Sequence, residues 1–442
     1  MKNNTVRRFS WLVLVLMLSS FTATGKSLTL QEITQIAIAN NKDLKAARYN
    51  VSIARSRLVQ AGLWPNPSFN LLSNDDRLFN NEGEYSRSGN FTQAFPISGR
   101  IAKQKTVARL DVMKAISEIR EAERQLSVKV ANAYYASVIT EHRMQQVNYL
   151  LQINQELVNV IHNRYHAAEI SQLDDNAARI EYLRIVQDKH LLHSLRISQN
   201  ATLNQLMGRA ANSSLSLNVD LTTGQQLPEL SFLKALALKN RPDRQAMVLS
   251  ISRANADRRL AKAERFADWT VGLGIQQDKI VVEGGPKQPP DRTLGVNLSV
   301  PIPLLNRNQG RILEASNTGT QAMMALRALD LSIETEVASN YAQLKVLQVS
   351  LKETQLLSLN LGVNNVKLAR ESYENAQISL LNVLQVQKQQ NDLQMTYLNT
   401  LEKYFQVYVA LCTAIGHGKT TEFCPYLVYQ RNAYANYITT TN

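Results

Sequence analysis

The sequence predicts a mostly α-helical chain with a membrane β-barrel contribution, assembled from one unit used twice. Three observations carry that prediction. From Arg100 to Met207 the chain has no glycine and no proline, and from Leu304 to Tyr426 the only proline is Pro425. The two halves share a frame of matching residues, and short runs of alternating apolar and small or polar residues precede each glycine-poor stretch. Composition agrees: of 442 residues only 17 are Gly and 11 are Pro, which favours long uninterrupted helices. Two cysteines exclude a disulfide-dense scaffold and any multi-cysteine zinc or iron–sulfur module.

Residues 1–25 read as a secretory signal peptide. Lys2, Arg7 and Arg8 supply the positive start, and Trp11 to Leu18 is an apolar run too short to span a bilayer. Ser19 to Gly25 is a small-residue exit, with a cut expected before Lys26. The competing reading, an uncleaved anchor, needs about 20 apolar residues. No cysteine lies near the cut, so N-terminal lipidation of the mature chain is not expected. Removing three basic and no acidic residues lowers the formal charge from +13 to +10.

The repeats are expected at 26–217 and 218–416, with a tail at 417–442. Asn40 and Asp43 match Asn240 and Asp243; Phe95-Pro96-Ile97 matches Val300-Pro301-Ile302; Gly99-Arg100 matches Gly310-Arg311. Tyr165 with Ile170-Ser171 matches Tyr373 with Ile378-Ser379, and Leu206-Met207-Gly208 matches Ala414-Ile415-Gly416. Such a frame, kept through strands, prolines and terminal glycines, indicates duplication.

Each unit opens with a short amphipathic helix pair, as in Leu30, Ile33, Ile36 and Ala37 at helical spacing. Two strands follow, expected at about 66–75 and 87–96 in the first unit and about 268–277 and 292–301 in the second. In Trp269–Ile275 and Leu294–Val300 every second residue is apolar and its neighbours are Thr, Gly, Asn or Ser. Alternation of that kind fits an ordinary sheet on a core or a barrel with lipid outside and water inside.

A long hairpin closes each unit, about 100–207 and about 310–415, with turn signals at Ala168–Ser171 and Ala376–Ser379. A helix of roughly 60 residues would reach about 90 Å. A seven-residue stripe runs through Leu326, Ile333, Asn340, Leu347, Thr354, Leu361 and Leu368, with Val337, Leu344 and Leu351 four residues on. That is coiled-coil spacing. Closure then favours the barrel: four strands cannot seal themselves in hydrocarbon, so copies must share one barrel. Three copies give twelve strands and room for a water-filled lumen.

At this point the chain resembles the TolC-like outer-membrane factor family, and within it the CzcC-like heavy-metal efflux branch. The residues that carry the resemblance are Leu30–Leu44, Phe95–Arg100, Val300–Pro303, the two Tyr-x-x-Ala-x-Ile-Ser hairpins and the terminal glycine motifs. The resemblance implies a homotrimer with a twelve-strand β-barrel in the outer membrane of a Gram-negative bacterium, joined to a periplasmic α-helical barrel. It implies contact with outer-membrane lipid, and docking onto a periplasmic adaptor protein and an inner-membrane RND-type pump. The docking tips would be Ala168, Glu169, Ile170, Ser171, Ala376, Gln377, Ile378 and Ser379. Family members commonly carry glycine where this chain has Ala168 and Ala376, and alanine resists left-handed turns. The periplasmic gate would fall at Asn382 and Gln385, neutral where the family often has acids.

The resemblance implies a passive exit duct, no enzyme and no cofactor, with heavy-metal cations as cargo; drugs or secreted polypeptide are the alternative. A structural periplasmic coiled-coil protein with a small soluble β-domain is the rival from another class. His162 and His166, four residues apart, could bind a metal, although two ligands alone do not define a site. Cys412 and Cys424 could bridge in an oxidising compartment. No GxSxG, HExxH, Walker loop or GxGxxG is present. Basic residues are dispersed along helices, so no nucleic-acid partner is expected.

Overall fold

The computed structural model describes residues 27–78, 82–219, 221, 227–282, 284–286, 288–355 and 359–416. The signal segment, Cys424 and the tail 417–442 lie outside the described residues. Element order repeats. The first unit holds α1 (Leu30–Asn40), α2 (Lys42–Gln60), β1 (Ser68–Asp75), β2 (Tyr85–Phe95), α3 (Arg100–His166) and α4 (Gln172–Leu206). The second holds α5 (Leu230–Asn240), α6 (Pro242–Ala263), β3 (Trp269–Lys279), β4 (Asp291–Ser299), α7 (Gln309–Glu353), α8 (Leu359–Glu374) and α9 (Leu380–Ala414).

Local chemistry starts and stops these helices. Thr29 and Glu32 form a capping box ahead of α1, Asn41 accepts the Leu44 N–H to open α2, and Pro242 occupies the first turn of α6. The rising arm of the first hairpin, α3, has 67 residues and spans roughly 100 Å; the returning arm, α4, has 35. The hairpins are thus longer on one arm than an even fold-back would make them.

The duplication is visible in side-chain chemistry. Gly208 and Gly416 follow α4 and α9 with φ of +71° and +82°, and each lies against the end of a short helix, at Asn40 and at Asn240–Arg241. Asn41 donates its side-chain amide to Leu206 O at 3.0 Å, and the equivalent Arg241 reaches Ala414 O at 3.5 Å. Arg124 adds a 2.7 Å bond to Thr413 O, so two guanidinium groups meet the negative end of α9. Around these contacts lies the main apolar core, with Ile33, Val130, Leu203, Leu233, Ile333, Leu344, Tyr404 and Leu411.

Two details depart from sequence expectation. The left-handed residue that opens α3 is Gly99 (φ 68°), but its counterpart before α7 is Asn308 (φ 59°), not Gly310. The heptad stripe also breaks. Ile333, Val337, Leu344 and Leu351 are buried, yet Leu361 and Leu368 are 62% and 59% exposed, and Gly362, Ala369 and Tyr373 are buried instead. Thr354 and Gln355 form a π-helical turn. A π turn inserts one residue into the helical path, which moves the seam by one position.

The four strands form one antiparallel sheet in the order β1-β2-β3-β4. Register decides what sequence alternation left open. Val271 pairs with Leu298, Leu273 with Val296 and Ile275 with Leu294; across the other side Leu273 faces Phe91 and Phe91 faces Phe69. Directly paired residues share a face. One face therefore carries Phe69, Leu71, Phe91, Trp269, Val271, Leu273, Ile275, Leu294, Val296 and Leu298. The opposite face carries Asn70, Asn74, Ser88, Asn90, Thr92, Gly272, Gly274, Thr293 and Asn297, with Leu72 as its large apolar exception.

Candidate functional surfaces

The sheet exposes its apolar face to the surroundings of the single chain: Leu294 and Val296 are 76% and 73% exposed. Both outer strands, β1 and β4, are exposed along their whole length. Strands of 8, 11, 11 and 9 residues come close to the roughly 9–11 that a tilted strand needs to span a hydrocarbon layer. Where the sheet meets the helices, Phe95 pairs with Trp269, and Trp64 stands edge-on to Phe95 with centroids 6.1 Å apart. Aromatic rings form girdles of this kind at the membrane–water interfaces of β-barrels. Sequence reading passed over this girdle; its signal was aromatic residues at the helix-side ends of three of the four strands.

Beside the girdle, Arg100 grips Asp268 with two parallel bonds, Nε–Oδ1 at 2.8 Å and Nη2–Oδ2 at 2.5 Å. This ties the start of α3 to the entry of β3. The Arg100 hydrogen bond holds the Asp268 carboxyl below its ordinary range.

The hairpin ends have the same geometry twice. Ala168 and Ala376 are left-handed, with φ of 61° and 58°. The N–H of Ala168 donates to Tyr165 O at 2.9 Å and that of Glu169 to Arg164 O at 3.0 Å; Ala376 donates to Tyr373 O at 2.9 Å and Gln377 to Ser372 O at 2.8 Å. Paired bonds of this kind make the Schellman motif, which normally takes glycine. Alanine in place of glycine costs about 1–2 kcal/mol per site but leaves the turn intact. Ser171 caps α4 by accepting from Asp174 N at 3.2 Å, whereas Ser379 makes no side-chain cap.

The tip residues are not equally available. Ala168, Glu169, Ser171, Ala376, Gln377 and Ser379 are exposed, but Ile170 and Ile378 turn inward onto Leu157, Ile161, Ala178, Tyr373, Leu380 and Val383. These isoleucines fasten the two hairpins together. Arg164 adds a cation–π contact, its guanidinium 5.4 Å from the Tyr373 ring.

Asn382 and Gln385 are exposed on the first turns of α9. Just beyond them the α8–α9 interface turns polar. Gln387 and Gln390 are buried, and neither Gln387 Nε2 nor Gln390 Oε1 has a hydrogen-bond partner in the single chain. Sequence reading missed this stretch because amides on a helix look solvated until the facing glycine is known.

His162 and His166 meet: their Nε2 atoms are 3.1 Å apart. Among the described residues no group of three or more His, Cys, Asp and Glu side chains can hold a metal ion. His142, by contrast, binds Val219 O at 3.0 Å. Cys412 is buried in α9, and its expected partner Cys424 lies outside the described residues. No described helix is long and apolar enough to cross a membrane, which says nothing of the sheet.

Comparison with known proteins places these surfaces in a family context. The family model described as outer membrane efflux protein matches residues 33–209 and again 233–417, one match per repeat. The chain is 24% identical over 409 residues to the cobalt-zinc-cadmium resistance protein CzcC of Cupriavidus metallidurans, covering 88% of this chain and 90% of that one. It is 24% identical over 252 residues to the probable efflux pump outer membrane protein TtgC of Pseudomonas putida, covering 54% and 51%. Its fold is similar to crystal structures of CusC (TM-score 0.72, 19% identity, 88% and 92% covered) and of VceC from Vibrio cholerae (0.69, 18%, 88% and 96%).

Proposed function

The chain belongs to the outer membrane efflux protein family, and from that premise we propose that it is the outer-membrane exit duct of a tripartite efflux system. The observation that carries the reading is a sheet of four strands whose outer two each keep one edge without a partner among the described residues and whose one face carries most of its large apolar side chains, joined to a helix of about 100 Å. Unpaired backbone edges are not tolerated in hydrocarbon, so β1 of one copy must pair with β4 of the next. Three copies close a ring of twelve strands, wide enough for a watery lumen. The polar face, lined by Asn, Ser, Thr and Gly, then faces water, and the apolar face meets lipid. A soluble coiled-coil protein would have no use for such a sheet.

The exposed tip residues Ala168, Glu169, Ser171, Ala376, Gln377 and Ser379 would dock a periplasmic adaptor, which links the duct to an inner-membrane RND-type pump. Asn382 and Gln385 would form an amide ring at the periplasmic mouth. Opening would separate α8 and α9 from their neighbours, a two-state shift biased by the partner. The polar contact around Gly362 supports that site of opening, because the buried amides of Gln387 and Gln390 there each leave a polar atom without a hydrogen-bond partner in the single chain. No step of this role requires catalysis or a cofactor.

Heavy-metal cations are the favoured cargo. Similarity to the metal-resistance protein spans 88% of the chain, against 54% for the antibiotic efflux pump outer membrane protein ArpC of Pseudomonas putida, whose likeness keeps drug export as the second reading. The test is deletion of the gene: intracellular zinc, cobalt or cadmium should rise and return to normal on complementation. A detergent extract that yields a soluble monomer would overturn the duct itself; normal metal levels with raised drug sensitivity would overturn only the cargo.

A further inference from the structure

We propose that His162 and His166 form a binding site for a borderline divalent transition-metal cation at the closed end of the first hairpin. The residues stand on consecutive turns of α3, so they share one face. Their Nε2 atoms are 3.1 Å apart while the ring centroids are 4.4 Å apart, with planes at 81°. Nitrogens closer together than their ring centres mean that the rings lean toward a common point. That centroid spacing makes the hydrogen bond between the two Nε2 atoms a bent one rather than head-on. Two nitrogens 3.1 Å apart, each about 2.1 Å from one cation, subtend about 95° at it, an angle that octahedral and distorted tetrahedral ions accept.

The surroundings orient one ring. His162 Nδ1 lies 3.2 Å from Asp175 Oδ1 and 2.7 Å from Arg179 Nη2. It cannot satisfy both: bare, it accepts from the guanidinium; protonated, it donates to the carboxylate. In the first state His162 Nε2 carries the proton and donates to His166 Nε2. In the second, the proton has moved to Nδ1, Asp175 holds it, and both Nε2 lone pairs are free for a cation. No proton is released overall. This second state is the carboxylate–histidine–metal arrangement that fixes ring orientation in known metal sites. Asp175 is 4% exposed and already held by Arg179 through Nε–Oδ2 at 3.0 Å, so its position is set before a cation arrives. The other nearby charges are engaged, Arg164 with Glu169 at 3.0 Å and Asp174 with Ser171 at 2.7 Å.

Water completes the shell, and two protein nitrogens make a site that exchanges its ion. The inference does not depend on the cargo assignment, since binding is read on the purified protein whether or not metals are exported.

The experiment uses the full mature chain in detergent without a histidine tag. Ni2+ titration should give one site per protomer, and Cu2+ spectra should show two coordinated nitrogens. His162→Gln or His166→Gln should each remove one nitrogen from the Cu2+ signal and weaken Ni2+ by at least about tenfold. Asp175→Asn should weaken binding about tenfold while keeping both nitrogens. Wild-type binding in the His162→Gln/His166→Gln double variant, or a site that maps instead to His190 and His193, would overturn the proposal, as would no binding in the wild type.

Discussion

Gln390 on α9 lays its side-chain amide on the bare Cα of Gly362 on α8, filling the space that any side chain at 362 would need. The contact lies just past the π turn at Thr354–Gln355, where the coiled-coil seam has slipped by one residue. Leu361, which the heptad would bury, is thereby turned outward, and the smallest residue available takes its place. Around Gly362 the α8–α9 contact is polar and close as a result.

Gly362→Ala should force these helices apart and lower stability by about 1–3 kcal/mol, the usual cost of overpacking. Gln390→Ala in the same chain should recover most of that loss. Thermal unfolding of the four variants of this cycle is the measurement. Additive effects of the two substitutions would mean that the contact does not matter.

Ala168→Gly and Ala376→Gly should each stabilise the tips, by about 1 kcal/mol, because glycine enters the left-handed region without strain. Amide exchange at Glu169 and Gln377, whose N–H groups close the two turns, should slow. Faster exchange at both positions would contradict the strain argument.

Docking is best probed at exposed positions. Replacing Ile170 or Ile378 by aspartate would break the apolar cluster under the tips and confuse unfolding with loss of a partner. Glu169→Lys with Gln377→Lys should abolish efflux while trimers still assemble in the membrane. Unimpaired export in that variant would remove the tips from the interface.

Asn382→Ala with Gln385→Ala should raise single-channel conductance in planar bilayers by widening the mouth. Asn382→Asp with Gln385→Glu should instead increase preference for cations, since an acidic ring attracts them. Identical currents in all three proteins would place the gate elsewhere.

The Arg100–Asp268 pair gives a pH dependence with a definite sign. The folded-state carboxyl is held below its ordinary value of 3.8, so its contribution is complete above that value. It is lost as pH falls through the lower folded value. Asp268→Asn should therefore destabilise the protein at pH 7, by about 1 kcal/mol for a partly exposed bidentate pair. The gap between variant and wild type should shrink as pH drops below about 4. A gap that stays constant to pH 2 would assign the effect to something other than charge.

Periodicity and duplication made most of the architecture legible. A stretch without glycine or proline admits little but helix, alternation marks strands, and the repeated frame signals two copies of one unit. The tips were legible too, because a turn between two long helices leaves few residues to choose from. Residue type alone also singled out His162 and His166 as a pair on one helical face.

Other features depend on distances between segments far apart in the chain. Only cross-strand register put Phe69, Phe91, Leu273 and Val296 on one face, since β1 by itself does not alternate cleanly. Only folding showed that Ile170 and Ile378 point inward, and that Asp175, from the returning arm, stands beside His162. The slipped seam at Gly362 was invisible for the same reason. A sequence repeats with the period of its local backbone, but one inserted residue in a helical turn changes which side chains meet, and only the packed structure records that.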